Sequence, residues 1–152
     1  MEGYHIREAD LQDLPVLKKI EQAIVAYERP YDVTLDADPI SYYDLGELIQ
    51  SPDSAVLVVE HGGQVVSSGY AKKKKALPYL NHEFYAYLGF MYTVEAHRGK
   101  GVNLLLVEGL KDWAIAEGLN EIRLEVYDQN TSALTAYAKA GFKQHLVEMR
   151  LV

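Results

Sequence analysis

The first half of the chain alternates apolar and polar residues in short runs, a pattern typical of strands joined by tight turns. Tyr4 to Glu8 predicts a short first strand, and the β-branched run Ser54 to Glu60 predicts a second. His61-Gly62-Gly63-Gln64 has the composition of a hairpin turn, after which Val65 to Lys73 returns as a strand. Phe84 to Thr93 predicts the third long strand.

Helical periodicity separates the first two of these strands. Asp10, with Asp13 three residues later, marks a helix start, and the helix is expected to end before Pro30. Its apolar positions recur about once per turn, at Leu14, Leu17, Ile20 and Ile24. A second, shorter helix is predicted to open at Asp38-Pro39 and to carry Tyr42, Tyr43, Leu45 and Leu48.

After the third long strand the pattern changes to helices that alternate with strands. One helix face is predicted by the spacing of Val102, Leu105, Leu106, Gly109, Leu110, Trp113 and Ala114. Gly118 is placed to end that helix. Glu121 to Tyr127 then predicts a strand, residues 131–140 a second helix closed by Gly141, and Phe142 to Leu151 a last strand. Antiparallel strands followed by a βαβα half predict one α/β domain over residues 1–152, with a mixed central sheet.

Composition narrows the classes of function. The apolar fraction of 49% and the charged fraction of 24% are ordinary for a soluble domain. No apolar run reaches the roughly 18 residues that a membrane-spanning helix needs, and the N-terminus lacks the layout of a secretory signal. We therefore expect a cytoplasmic protein with no membrane partner. The absence of cysteine excludes disulfides, thiolate metal sites and a cysteine-linked acyl intermediate, and we expect no metal.

Charge also limits the partners. The net charge of −7 argues against nucleic acid, because binding to a phosphate backbone needs a basic surface. The one basic run, Lys72 to Lys75, has two interpretations. It is either an anion-binding patch or a strand end whose side-chain stems cover apolar surface.

A glycine-rich segment, His97-Arg98-Gly99-Lys100-Gly101-Val102, lies between the third long strand and an amphipathic helix. Such a turn leaves backbone N–H groups unpaired at a helix N-terminus, where the helix dipole favours a phosphate. Glycine lets the loop approach a ligand without a Cβ in the way. On these residues alone an ordinary turn is the alternative. The segment matches neither the Walker pattern nor the dinucleotide fingerprint, which needs a third glycine.

A second segment, Asn130 to Phe142, follows the next strand. Four of its residues share one helix face by their spacing: Ala133, Ala136, Tyr137 and Ala140. A face of small residues with one tyrosine allows something to pack closely beside it. The alternative is ordinary packing of a helix on a sheet, with Tyr137 as a core aromatic residue.

Together the two segments resemble the GNAT superfamily of N-acetyltransferases over residues 84 to 151. The acetyl-CoA motif of that family, Arg/Gln-x-x-Gly-x-Gly/Ala, is matched by Arg98 and Gly101, and Asn103 departs from it in the last place. The family's following motif, Asn-x-x-Ala-x-x-x-Tyr-x-x-x-Gly-Phe, is matched at Asn130, Ala133, Tyr137, Gly141 and Phe142. The resemblance implies the GNAT fold and acetyl-CoA as co-substrate.

The resemblance also implies a reaction and a set of site residues. A primary amine would attack the thioester of acetyl-CoA directly in a ternary complex, and Tyr137 would be the acid for the departing thiolate. Backbone N–H groups of residues 99 to 103 would hold the pyrophosphate. Counting back from Arg98 places a pair of family positions on the third long strand at Met91 and Thr93. The implied cofactor-binding residues are Met91, Thr93, Arg98, Gly99, Lys100, Gly101, Val102, Asn103, Asn130, Ala133 and Tyr137.

The base is harder to identify. Family members often place a glutamate on the strand face shared with residues 91 and 93. A period of two puts four more residues on that face: Glu83, Tyr85, Tyr87 and Gly89. Glu83 is the acidic one and is the candidate base. Three alternatives stay open: a water chain ordered by Tyr85 or Tyr87, His82, and His97.

The acceptor is expected to bind between the first two helices and the loop at residues 76–82. Aromatic and acidic residues concentrate there: Tyr31, Asp36, Asp38, Tyr42, Tyr43 and Asp44. Tyrosines with carboxylates suit an ammonium group and favour a small cationic amine, although helix caps and a solvated face explain the same residues. A protein or peptide acceptor and a non-catalytic acetyl-CoA-binding module stay open. So does a homodimer paired through the C-terminal strand.

Overall fold

Five strands form one mixed sheet in the computed structural model, which describes all 152 residues. The strands are β1 (Tyr4–Glu8), β2 (Ser54–His61), β3 (Gln64–Lys75), β4 (Phe84–Thr93) and β5 (Ile122–Leu124). They lie in the order β1-β2-β3-β4-β5. The first four pair antiparallel, while β5 pairs parallel to β4. The predicted mixed α/β sheet is therefore confirmed.

The chain forms four α-helices: α1 (Leu14–Glu28), α2 (Leu45–Gln50), α3 (Val102–Ala116) and α4 (Thr131–Lys139). The predicted start at Asp10 is confirmed, because Asp10 and Asp13 form a capping box around a short 3₁₀ turn before α1. Asp13 also accepts two hydrogen bonds from Arg7 of β1, which fixes the first helix to the sheet. None of the helices is both long and apolar enough to cross a bilayer.

The helices cover both faces of the sheet. On one face, α1 and α2 enclose an apolar cluster that includes Leu17, Val58 and Phe90. On the other face, α3 encloses a cluster that includes Leu88 and Leu106. Burying both faces accounts for the long apolar run in β2, where six consecutive residues are buried.

The hairpin between β2 and β3 forms where the sequence predicts it. Gly62 and Gly63 both have positive φ, 58° and 76°, which a tight two-residue hairpin requires and which glycine adopts without strain. Beyond this turn the basic run lies at the end of β3. Lys73 and Lys74 place their ammonium groups 4.3 and 3.9 Å from the ring centroids of Phe84 and Tyr87. Two of the four lysines thus place their charged groups over aromatic rings.

The second helix begins later than predicted. It starts at Leu45, not at Asp38-Pro39, because the Asp44 carboxylate accepts the backbone N–H of Glu47 and acts as the N-cap. The segment before it has no regular structure. It is attached to α1 by buried Glu21, whose carboxylate accepts the backbone N–H groups of Tyr42 and Tyr43 at 3.1 and 2.9 Å.

The C-terminal end of the sheet is shorter than predicted. β5 spans three residues instead of Glu121 to Tyr127, and Phe142 to Leu151 forms no strand. A strand is stable only when its backbone groups pair, and the sheet ends at β5. Phe142 packs against the α3 cluster, but the apolar side chains beyond it are 73–100% exposed: Leu146, Val147, Met149, Leu151 and Val152.

Candidate active site

A bulge interrupts the regular pairing of β4 with β3. The register between β3 and β4 shifts between Ser68 and Tyr70, and Phe90 takes a positive φ of 59°, which is rare for a bulky residue. The buried Phe90 ring and a hydrogen bond from the Ser68 hydroxyl to the Phe90 carbonyl (3.3 Å) hold this conformation. Since β4 bends here, its pairing with β5 ends at Leu88 and Leu124. A wedge therefore opens between the two strands beside residues 89–93.

The bulge also changes which side chains share a face. Met91 packs with Leu88 in the cluster under α3, and Thr93 lies opposite Ser67, whose hydroxyl is 3.0 Å from its own. Tyr87 packs instead against the cluster under α1 and α2. The expectation that Tyr85, Tyr87 and Gly89 share a face with residues 91 and 93 is wrong, because one inserted residue reverses the alternation of a strand.

The glycine-rich loop lies at the end of β4 and leads directly into α3. Gly99 and Gly101 have φ values of 73° and 82°, and a Cβ added at Gly99 would meet no atom within 4 Å. The first helical hydrogen bond runs from Leu105 N–H to Gly101 C=O. The amides of residues 102–104 therefore have no partner within the helix. The loop is open on its outer side and presents glycine backbone and helix-start amides there.

Arg98 connects this loop to the strand before it. Its Nε donates to the Thr93 carbonyl at 2.8 Å, and its guanidinium carbon lies 5.2 Å from the Tyr92 ring and 5.9 Å from the Tyr27 ring. The arginine thus fixes the loop against β4 and α1. Lys100 is exposed, whereas the Val102 side chain is buried under α3, so Val102 can offer a ligand only its backbone.

The second motif lies on α4, the helix that follows β5. Asn130 is the N-cap of α4, since its side-chain oxygen accepts the Ala133 N–H at 3.2 Å. The face predicted for this helix is half-buried at all four positions, Ala133, Ala136, Tyr137 and Ala140. The Tyr137 ring contacts Phe142 edge-to-face at 6.0 Å between centroids. Burial, and then the charge of Glu28, raises the pKa of Tyr137 to about 12.

Tyrosines from several elements form a continuous cluster on the α1 and α2 side of the sheet. Tyr43 contacts Tyr42, Tyr70 and Phe90 with centroids 5.4–5.6 Å apart, and Tyr70 contacts Tyr87 at 6.3 Å. Burial raises the pKa of Tyr70 to about 12.

The cluster continues beyond the end of β5. The Tyr127 ring stacks on Tyr31 at 6.1 Å, and its hydroxyl donates to Asp32 at 2.7 Å. Glu28, the last residue of α1, is half-buried, and its charge adds to the raised pKa of Tyr42 and of Tyr137. The tyrosine cluster thus lies on the α1 side of the sheet, the wedge lies between β4 and β5, and the glycine-rich loop leads from β4 into α3.

The acetyltransferase (GNAT) family model matches residues 20–142 of this chain. The chain belongs to the GNAT family. Streptothricin acetyltransferase of Escherichia coli is 50% identical over 46 residues, which are 30% of this chain and 26% of that relative. The matched segment therefore spans about a quarter of the relative's length.

Solved structures agree with the GNAT fold over nearly the whole chain. The BH1408 protein of Bacillus halodurans, solved as a tetramutant, has a TM-score of 0.82 at 23% identity and covers 97% of this chain and 99% of its own. A predicted acetyltransferase of Clostridium acetobutylicum, solved with acetyl-CoA, has a TM-score of 0.74 at 17% identity, with coverages of 98% and 96%. At these identities the likeness establishes the fold, and the predicted GNAT fold is confirmed.

Within this GNAT fold, both predicted motifs reach Tyr27 of α1: the Arg98 guanidinium carbon lies 5.9 Å from its ring, and its hydroxyl lies 3.4 Å from Asn130 Oδ1. The loop from Arg98 to Asn103 follows β4, which carries Met91 and Thr93, and the helix that carries Tyr137 follows β5. Their meeting follows from the crossover: β4 and β5 are parallel, so the segments after both strands emerge at the same edge of the sheet.

The structure does not bring Glu83 to this place. Glu83 precedes β4, eight residues before Met91, a separation of roughly 25 Å along an extended strand. It lines a cavity of about 290 Å³ with His82, Lys73 and the end of α3. His97 packs against Tyr4 and His61, and its Nδ1 lies 2.9 Å from the Tyr4 hydroxyl.

The acidic residues of the wedge also differ from those expected. Asp36 accepts the N–H of Ala37, Asp38 pairs with Arg29 at 2.5 Å, and Asp44 caps α2. The carboxylates beside the tyrosines are instead Glu28 and Asp32, which sequence reasoning missed. A signal for Glu28 existed: an acidic residue in the last turn of a helix opposes the helix dipole.

Proposed function

We propose that this chain transfers the acetyl group of acetyl-CoA to a primary amine of a small cationic molecule, by direct attack in a ternary complex. The observation that carries the proposal is the wedge between β4 and β5, with an open glycine-rich loop after β4. We propose that Tyr137 of α4, the helix that follows β5, lines its other side. The family membership supports the same reaction.

The residues around the loop fit acetyl-CoA. Gly99 and Gly101 leave an open cradle, and the free amides of residues 102–104 add the partial positive charge of a helix start. We propose that the backbone of residues 99 to 103 holds the pyrophosphate, with Lys100 beside it. When bound, acetyl-CoA supplies an activated acetyl group as a thioester. Asn103 keeps a half-exposed side chain at the rim of this cradle.

The pantetheine side of the site would be formed by both flanks of the wedge. Met91 and Thr93 supply the unpaired edge of β4, where a backbone N–H can stabilise the carbonyl oxygen under attack. We propose that Ala133 and Tyr137 of α4 lie opposite them, and Asn130 fixes the start of that helix. The small Ala133 leaves room beside the tyrosine.

Tyr137 is proposed as the acid for the departing thiolate. A tyrosine with a pKa of about 12 stays protonated throughout the physiological range, so its hydroxyl can donate a proton or a hydrogen bond. Because the chain has no cysteine, an acyl-cysteine intermediate cannot form, and the amine is proposed to attack the thioester directly. The small cationic acceptor is supported by the tyrosines and carboxylates at the wedge and by the similarity to a streptothricin acetyltransferase.

The test is CoA release from acetyl-CoA over a panel of streptothricin, aminoglycosides, polyamines, amino acids and short peptides. We expect turnover with one class of small cationic amine. Tyr137→Phe should lower kcat by about 10²–10⁴-fold, the usual contribution of a general acid. Its Kd for acetyl-CoA, measured by calorimetry, should stay within about twofold of the parent value.

Thr135→Ala is the control, since it removes an exposed hydroxyl from the same helix, outside its half-buried face. It should leave both kcat and Kd unchanged. Wild-type turnover in Tyr137→Phe would contradict the acid role. Tight binding of acetyl-CoA with no turnover on any amine would contradict the acetyl transfer itself and favour a protein acceptor or a binding module.

A further inference from the structure

Three side chains from two distant parts of the chain meet beyond the C-terminal end of α1. The rings of Tyr31 and Tyr127 lie nearly parallel, with centroids 6.1 Å apart and an angle of 20° between their planes. The Tyr127 hydroxyl donates to Asp32 at 2.7 Å, across a separation of 95 residues in the sequence. All three residues are half-buried, so part of each stays accessible to solvent. We call Tyr31, Asp32 and Tyr127 the tyrosine–aspartate site.

The Asp32 carboxylate has neutral partners and one acceptor position to spare. Its Oδ1 accepts the N–H and the hydroxyl of Thr34, and its Oδ2 accepts the Tyr127 hydroxyl. A carboxylate offers about four acceptor positions, so one stays free on Oδ2. The hydrogen bonds from Thr34, and then that from Tyr127, hold the pKa of Asp32 below its usual range, so the group is ionised at neutral pH. The charge of Arg150 acts in the same direction, but Asp32 takes part in no salt bridge.

Contacts through Tyr27 connect this site to both elements proposed to bind acetyl-CoA. The Tyr27 ring lies 5.9 Å from the Tyr31 ring and 5.9 Å from the guanidinium carbon of Arg98, at the start of the glycine-rich loop. The Tyr27 hydroxyl lies 3.4 Å from Oδ1 of Asn130, the N-cap of α4. One tyrosine thus separates the site from the start of the loop and from the start of α4.

A nitrogen held at such a site is not suited to attack a thioester. An amine attacks only as the neutral base, whereas a free alkyl ammonium group has a pKa of about 10.4. A carboxylate and aromatic faces stabilise the charged form, which raises that pKa further and opposes the attack. A cation bound here during acetyl transfer is therefore a second group of the acceptor, and the reacting nitrogen lies elsewhere.

We propose that the tyrosine–aspartate site binds a non-reacting ammonium group of the acetyl acceptor, which is therefore a molecule with at least two amino groups; the proposal rests on the acetyl transfer proposed above. The free position on Asp32 Oδ2 accepts one N–H of this group, and the rings of Tyr31 and Tyr127 attract its charge. Diamines, polyamines and aminoglycosides have this chemistry, whereas an amine with a single nitrogen lacks it.

The decisive variant is Asp32→Asn, which removes the charge and keeps an acceptor oxygen. Calorimetry on the parent protein, alone and with CoA, should show spermidine and streptothricin binding at least tenfold tighter than butylamine. In Asp32→Asn we expect the Kd values of both polycations to rise about 10- to 100-fold, the contribution of a hydrogen bond to a charged group. Tyr31→Leu should raise them about 3- to 30-fold, the range of a cation–π contact.

Asp36→Asn is the matched control, because it removes the same charge from the same segment, where the Asp36 side chain accepts only the Ala37 N–H. Its Kd values for the polycations should stay within twofold of the parent values. The Kd of Asp32→Asn for acetyl-CoA should also stay within twofold, and its circular dichroism should be unchanged, which shows that the variant is folded.

These affinities need no turnover, so they separate the inference from the proposed reaction. Equal affinity of the parent and Asp32→Asn for both polycations would overturn the assignment even if acetyl transfer is confirmed. So would a parent protein that binds neither polycation, or one that binds spermidine no more tightly than butylamine. Failure of the proposed reaction would appear instead as an absence of CoA release with every amine.

Discussion

Asn130 links two elements through one side-chain oxygen. Its Oδ1 accepts the Ala133 N–H at the start of α4 and also the Tyr27 hydroxyl of α1, at 3.2 and 3.4 Å. The side chain is almost fully buried, so both donors depend on it for a partner. The asparagine of the family motif therefore acts here by fixing the start of α4, the helix that carries Tyr137, to α1.

Replacing Asn130 with alanine should lower the free energy of unfolding by about 1–2 kcal/mol, because an N-cap is lost and the Tyr27 hydroxyl loses its acceptor. Asn130→Asp keeps an acceptor oxygen and should cost less than half as much. Urea denaturation followed by circular dichroism measures both values. Equal losses in the two variants would show that the oxygen is not the important atom.

At the scale of elements, β4 determines the geometry of the site. Its extra residue at Phe90 ends the pairing with β5 and reverses the alternation, so Met91 and Tyr87 lie on opposite faces. Gly89, just before the bulge, lies against the ring of Tyr70. A side chain at that position would disturb the tyrosine cluster on the acceptor side.

Gly89→Ala should therefore destabilise the protein by about 1–3 kcal/mol, the usual cost of overpacking. The added Cβ would lie 2.7 Å from Cζ of Tyr70, a buried ring with little room to move. Gly46→Ala in α2 is the control, because a Cβ there meets only the Asp44 carboxylate at 3.8 Å and alanine favours a helix. Thermal unfolding should show a lower melting temperature for Gly89→Ala and an equal or higher one for Gly46→Ala.

At the scale of the whole molecule, the chain beyond Phe142 is the part that the single copy does not bury. Five large apolar residues between Leu146 and Val152 are 73–100% exposed, and the outer edge of β5 has no partner strand. Exposed apolar segments and open strand edges are typical of surfaces that pair with another chain. A homodimer formed through this segment stays a prediction.

Sedimentation velocity at several protein concentrations tests it. We expect a concentration-dependent dimer in the parent protein and a monomer in the triple variant Leu146→Ser, Val147→Ser and Met149→Ser, with unchanged circular dichroism. The variant should keep the monomer fold, because these side chains contribute nothing to either apolar cluster. A parent protein that is monomeric at all concentrations would contradict the prediction.

The sequence by itself determined the elements whose residues interact with near neighbours. The strand at Tyr4–Glu8, the hairpin at Gly62 and Gly63, and the face of α3 were predictable because alternation, turn glycines and helical spacing are local properties. The two GNAT motifs could be recognised for the same reason, since each lies in one short segment. The order of strands and helices places these segments after β4 and β5, which run parallel.

Only the tertiary structure decided the bulge, the acidic residues of the wedge and the C-terminal end. The inserted residue at Phe90 depends on packing against β3 and α1, so a strict period of two gave the wrong face for Tyr87. Asp38 and Asp44 found local partners, and Asp32 is the carboxylate that accepts the Tyr127 hydroxyl. Phe142 to Leu151 has the composition of a strand, but a strand needs a neighbour whose backbone groups pair with its own, and no local pattern supplies one.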